Sequence, residues 1–160
     1  MQVFDASSMI YAWDNYPIKQ FPGLWKWMAE QITQQELVMP AVAFDEVLHK
    51  TPDCGEWLKS LPIKRLGVSN AILKDALRIK DLLGISGDKY HVNGVGENDL
   101  LIIATARAKE AELVTDESRQ PGLPKLASKR KIPAVCAMDS VDVLCINFID
   151  FIKRTERVFR

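Results

Sequence analysis

A three-layer α/β fold with a short, mainly parallel central sheet is the architecture this sequence predicts, on three observations. Short apolar runs at 2–5, 37–40 and 112–115 alternate with longer segments whose apolar residues recur at helical spacing. Strands separated by helices pair in parallel and need cover on both faces. No repeat, linker or low-complexity stretch divides the 160 residues, so 1–160 reads as one domain, able to bury roughly two-thirds of the surface of its unfolded chain.

The first strand is QVFD at 2–5, and SSMIYAWDN behind it is a helix that ends before Pro17, which has no N–H to continue one. FPGLWKWMAEQITQQE opens on Pro22 and Gly23, and Leu24, Trp25, Met28 and Ile32 give it an aromatic helical face. LVMP at 37–40 is the second strand, AVAFDEVLHK a helix, and GEWLKSL a further helix after the break TPDCG. In SNAILKDALRIKDLL at 69–83, Ser69 or Asn70 is the N-cap and Gly84 the stop. The glycine-rich stretch GISGDKYHVNGVG at 84–96 reads as a loop, and GEND leads from it into the helix LLIIATARAKEA. After the strand ELVT and the polar loop DESRQPGLPK, a strand is expected at Ile132–Ala137 and a last helix at 140–154.

Composition narrows the function classes. Lys plus Arg and Asp plus Glu both number 21, so any contact with nucleic acid must come from local patches rather than net charge. Cys54, Cys136 and Cys145 are odd in number and have no CxxC spacing, which predicts reduced thiols rather than a disulfide framework or a zinc site. His49 and His91 stand alone, so a bound metal would be held by oxygen. Asp5 interrupts what would be the apolar region of a leader, and the apolar runs at 100–106 and 143–152 fall short of the about 20 residues that cross a bilayer. A cytoplasmic protein with no membrane contact is the expectation.

In parallel sheets, ligands bind outside the carboxyl ends of the strands. Asp5 follows the first strand, Asp116 and Glu117 follow ELVT, Asp99 opens the helix before ELVT, and Glu46 lies just beyond LVMP. Brought together, such carboxylates repel and raise one another's pKa unless a cation sits among them. An all-oxygen donor set favours Mg²⁺ or Mn²⁺ over zinc and suits phosphoryl chemistry. Each acid also has a local reading: Asp5 as an N-cap, Asp99 as a favourable charge in a first helical turn, Glu46 as a solvated helical residue, and Asp116 with Glu117 as an acidic turn.

VFDASSMIYA, FDEVL, NDLLIIATA and LVTDES, in that order and at these spacings, resemble the PIN-domain nucleases over most of the chain. The opening, with Tyr11, Ala12 and Trp13, is most similar to a PIN-like subgroup near the VapC-type toxins. The resemblance implies a ribonuclease in which Asp5, Glu46 and Asp99 are the first three acids and Ser7 and Thr115 support them. It implies Mg²⁺ or Mn²⁺ held by Asp5, Asp99 and a fourth acid, an RNA substrate, an antitoxin partner and a homodimer. The fourth acid departs from the family pattern of Thr, any residue, Asp. Register selects Glu117, residue type selects Asp116, and the reading leans to Glu117 with its neighbour still open.

Two other classes compete. A haloacid-dehalogenase-type phosphatase also begins with a strand and an Asp but requires a second Asp two residues on, where this chain has Ser7. A PIN-like module that binds RNA or protein without cutting is the other. Most aromatic residues are expected in the core, with Trp27, off the stripe of Trp25, Met28 and Ile32, as an interaction surface. Among the cations, the clusters Lys129–Lys131 and Lys153, Arg154, Arg157 and Arg160 are possible tracks for a phosphate backbone. Arg119, beside the acidic turn, is the favoured contact for substrate phosphate.

Overall fold

Val3, Phe4, Val38, Leu113 and Val114 are all 0% exposed. Consecutive strand residues point to opposite faces, so burial at successive positions means that the sheet is covered on both sides. The computed structural model describes residues 1–160. Its five strands are β1 (Gln2–Phe4), β2 (Leu37–Pro40), β3 (Arg65–Leu66), β4 (Glu112–Val114) and β5 (Cys145–Ile146), in the order β3-β2-β1-β4-β5. Every pairing is parallel, with Val3 opposite both Val38 and Leu113.

The helices α1 (Ala6–Asn15), α2 (Pro22–Thr33), α3 (Ala41–Lys50), α4 (Pro52–Lys59), α5 (Asn70–Leu82), α6 (Glu97–Ala108), α7 (Ile132–Cys136) and α8 (Phe148–Thr155) flank the sheet. On one face Phe4 stacks edge-on against Phe148 and Phe151 of α8, at 6.4 and 5.2 Å between ring centroids. Ser69 does cap α5, its Oγ accepting from the Ile72 amide at 3.2 Å, and Gly84 ends that helix at φ +69°. Ser69→Ala is expected to cost about 1 kcal/mol, read as a drop of roughly 2–4 °C in melting temperature.

Four expectations are corrected. Residues 132–136 form α7, not a strand: Pro133 suits a first helical turn, and Ile132, Val135 and Cys136 are buried at helical spacing. The last helix begins at Phe148 rather than 140, because Asn147 accepts from the Asp150 amide at 2.8 Å and β5 occupies 145–146. Trp27 is only 6% exposed and forms no free surface, since Phe151 and Phe159 pack on its ring at 5.5 and 5.3 Å. The fourth helix also starts earlier than expected, at Pro52. Gly55 lets that helix touch α3, since a Cβ there would lie 2.7 Å from Leu48 Cα. The strand β3 lies outside every run read as a strand. Cys54, Cys136 and Cys145 are free thiols, and no helix is long and apolar enough to cross a membrane.

Candidate active site

The chain leaves β1 to one side for β2 and β3, then returns to the other side for β4 and β5. This reversal opens a crevice between the carboxyl ends of β1 and β4. Asp5 and the segment Thr115–Glu117 stand there, joined by the bond from the Asp5 amide to Val114 O at 2.9 Å.

Asp5 is 2% exposed and fully engaged. Its Oδ1 accepts from the Ala6 amide at 2.8 Å, capping α1, while Oδ2 accepts from Ser7 Oγ at 2.6 Å and Thr115 Oγ1 at 2.8 Å. The local reading of Asp5 as an N-cap is therefore true, and only one of its two oxygens is needed for it. The two hydroxyls also shape the opposing turn: Ser7 Oγ accepts from the Asp116 amide at 2.9 Å, and Thr115 Oγ1 from the Glu117 amide at 3.2 Å. Burial raises the pKa of Asp5; the two hydroxyl donors oppose that rise, and the charges of Glu46 and Glu117 add to it.

Asp99 enters from the first turn of α6, where its Oδ2 accepts from the Gly96 amide at 2.8 Å. Burial pushes its carboxyl up to about 6 against that amide, and the fields of Asp5, Glu117 and Glu46 push the same way. A cleft of ≈ 300 Å³ opens beside it, lined by Glu46, Gly96, Glu97, Asn98 and Asp99, none of them apolar. Asp5, Glu46, Asp99 and Glu117, from four separated segments, thus lie within reach of one another's charge.

Asp116 lies apart from them. Its Oδ2 accepts from the Phe148 amide at the start of α8 at 3.2 Å, and burial first, then the charge of Asp150, raises its pKa. The side chains of the turn diverge, Asp116 towards α8 and Glu117 towards the other acids. Arg119 is drawn the same way as Asp116: its side chain is 61% exposed and pairs with Asp150 at 3.8 Å rather than with any of the four acids. Arg154 pairs with Glu112 at the opposite end of β4.

Two lysines border the acids instead. Lys131 Nζ lies 3.9 Å from Glu117 Oε2, and Lys50 Nζ lies 2.6 Å from Glu46 Oε1. Sequence reading passed over Lys50, although its place four residues after Glu46 on one helix is the spacing that pairs such side chains. No three of the His, Cys, Asp and Glu side chains meet at metal-ligating distance in this structure; Glu46 is bonded to Lys50 and Asp99 to the Gly96 amide. The donor chemistry nonetheless fits a hard divalent cation: the donors are all carboxylate oxygens, and burial first, then the charges of the other acids, raises the pKa values of Asp5 and Asp99.

The family model described as a domain of unknown function, DUF4411, matches residues 2–159. No curated protein matches the chain. Among solved structures, a chain of VapBC2 from Rickettsia felis bound to a DNA fragment from their promoter aligns with a TM-score of 0.56 at 16% identity, covering 91% of this chain and 97% of that one. A toxin-antitoxin complex from Klebsiella pneumoniae aligns at 16% identity with a TM-score of 0.49, covering 78% of this chain and 93% of its own. The likeness to the first, with the all-parallel sheet, shows that the fold is PIN-like.

Proposed function

The chain belongs to the DUF4411 family and has a PIN-like fold, and we propose that it is a metal-dependent endoribonuclease, the toxin of a toxin-antitoxin pair. One observation carries the reading: carboxylates from four separated segments share the crevice at the reversal point of the sheet, with no histidine among them. Asp5, Asp99 and Glu117 are the residues that would hold Mg²⁺ or Mn²⁺, with Glu46 completing the pocket. The ion would supply an acidified water and neutralise phosphate charge.

The chain's own residues keep that set in order. Ser7 and Thr115 orient Asp5 and, through the amides of Asp116 and Glu117, fix the turn that carries the fourth acid. The Gly96 amide holds Asp99 at the lip of the polar cleft. We assign the fourth acid to Glu117, whose charge reaches Asp5 and Asp99, and give Asp116 the role of tying the turn to α8. Hydrolysis would leave a 5′-phosphate and a 3′-hydroxyl. The likeness to VapBC2 supports an antitoxin partner; a homodimeric assembly is proposed on the family resemblance of the sequence alone.

The test is cleavage of labelled single-stranded RNAs by the purified chain with Mn²⁺, beside the Asp5→Asn protein. Equal cleavage by both, or by neither across varied sequences, removes the nuclease assignment. Within the same assay Glu117→Gln is expected to lower kcat/KM more than tenfold and Asp116→Asn less than about threefold, a gap of roughly 0.7 kcal/mol or more in barrier. The reverse order would return the fourth acid to Asp116. A module that binds RNA or protein without cutting is favoured by a separate observation, the engagement of Glu46 by Lys50 and of Asp99 by the Gly96 amide. RNA bound but intact under these conditions would select it.

A further inference from the structure

We propose that Lys50 and Lys131 form a two-sided clamp for a backbone phosphate of single-stranded RNA, one lysine on each flank of the acidic crevice. The inference rests on the ribonuclease reading and deepens it. A phosphodiester entering a group of four carboxylates meets repulsion of its own sign, so the cations that border the group decide whether it can approach.

Lys50 stands one turn beyond Glu46 on α3. Its side chain is 59% exposed, and it faces the crevice: the hydrogen bond to Glu46 raises its pKa most, and the charges of Glu117 and Asp5 add to that. Lys131 reaches Glu117 from the other flank and is 31% exposed. Its backbone is braced: Gln120 Oε1 accepts from the Lys131 amide at 2.8 Å, while Gln120 Nε2 donates to Lys129 O at 3.1 Å. The neighbouring Arg130 carbonyl accepts from the Val95 amide at 3.0 Å, which fastens this segment to the loop that ends at Asp99's helix. An ammonium group has three N–H donors; Lys50 spends one on Glu46, and Lys131, 3.9 Å from Glu117, spends none on it, so both can bind phosphate without leaving the acids. Arg119 stands beside Asp150 instead, and Arg154 pairs with Glu112 at the opposite end of β4.

If the lysines only neutralise the carboxylates, removing them would leave RNA affinity unchanged and tighten Mn²⁺ binding. The clamp predicts the opposite pattern in RNA binding. Anisotropy of a fluorescein-labelled single-stranded oligoribonucleotide, with Mn²⁺ and the full chain carrying Asp5→Asn to prevent cleavage, is measured across a salt series. Adding Lys50→Ala or Lys131→Ala is expected to weaken binding roughly tenfold at low salt and to reduce the slope of log K against log salt by about 0.7 each. Lys50→Arg and Lys131→Arg are expected to keep the slope. In the cleaving protein, each alanine variant should raise KM about tenfold with kcat within about threefold.

Alanine variants that cut RNA with unchanged KM and salt slope overturn the clamp while leaving the ribonuclease standing. Lysine-dependent binding by a chain that cuts no RNA supports the clamp and removes the ribonuclease. A chain that neither binds nor cuts RNA overturns both.

Discussion

Asp5→Asn is expected to lower kcat/KM for RNA cleavage about a thousandfold, equivalent to ~4 kcal/mol of lost transition-state stabilisation, while leaving the protein folded. Stability survives because asparagine preserves what the fold takes from this residue. Its carbonyl oxygen can still accept from the Ala6 amide at the cap of α1, and its amide can donate to the hydroxyls of Ser7 and Thr115, which rotate from donor to acceptor. A side chain 2% exposed also gains by losing a charge that burial and two carboxylates oppose. The cleavage machinery keeps no such substitute: the one anionic group at the end of β1 is gone. Steady-state cleavage and a thermal melt of the same preparations check both halves. A variant that melts with the parent yet retains more than about a tenth of its activity would show that Asp5 serves the helix cap alone.

Asp5, Asp99 and the Thr115–Glu117 turn stand out in the sequence as candidates because each is tied to an element boundary, whereas Glu46 lies within α3. Asp5 caps α1, Asp99 closes the first turn of α6, and the Thr115 turn ends β4, so strand and helix signals also located these candidates. What was not legible depends on contacts between distant segments. The strands β3 and β5 have two residues each, too few for any alternation to show, and exist through pairing with β2 and β4. Ile132–Cys136 is apolar and partly β-branched, which favours a strand locally. Its side chains find their burial in a helix instead. Trp27 is buried by Phe151 and Phe159, more than a hundred residues later in the chain. Arg119 is adjacent to the acidic turn in sequence, yet the turn sends it towards Asp150, while Lys50 and Lys131 arrive from farther away. Adjacency in sequence misled for the same reason that it failed to separate Asp116 from Glu117: successive side chains at a strand end diverge.

The metal-free protein is expected to lose stability as pH rises from about 4 to about 6, and Mn²⁺ is expected to cancel that loss. Asp99 drives both effects. Its carboxyl has an ordinary value of 3.8 and is pushed up to about 6 in the folded chain. Between those values the folded state holds a proton that the unfolded state has released, so stability falls with rising pH across that window and levels off above it. The size is on the order of 2–3 kcal/mol, or roughly 5–10 °C in melting temperature, and the raised pKa of Asp5 acts in the same direction. A divalent cation reverses the sign, because it binds the deprotonated carboxylates and stabilises only the folded state, by about 2.7 kcal/mol at a hundred times its Kd. Asp99→Asn should flatten the pH dependence and weaken the response to Mn²⁺, while its oxygen still accepts from the Gly96 amide and preserves the start of α6. Glu97→Gln, on the same turn but exposed, is the control and should change neither. If the Asp99→Asn protein keeps the full slope between pH 4 and 6 and the full response to millimolar Mn²⁺, the four carboxylates do not act as one charged group and the shared cation site falls.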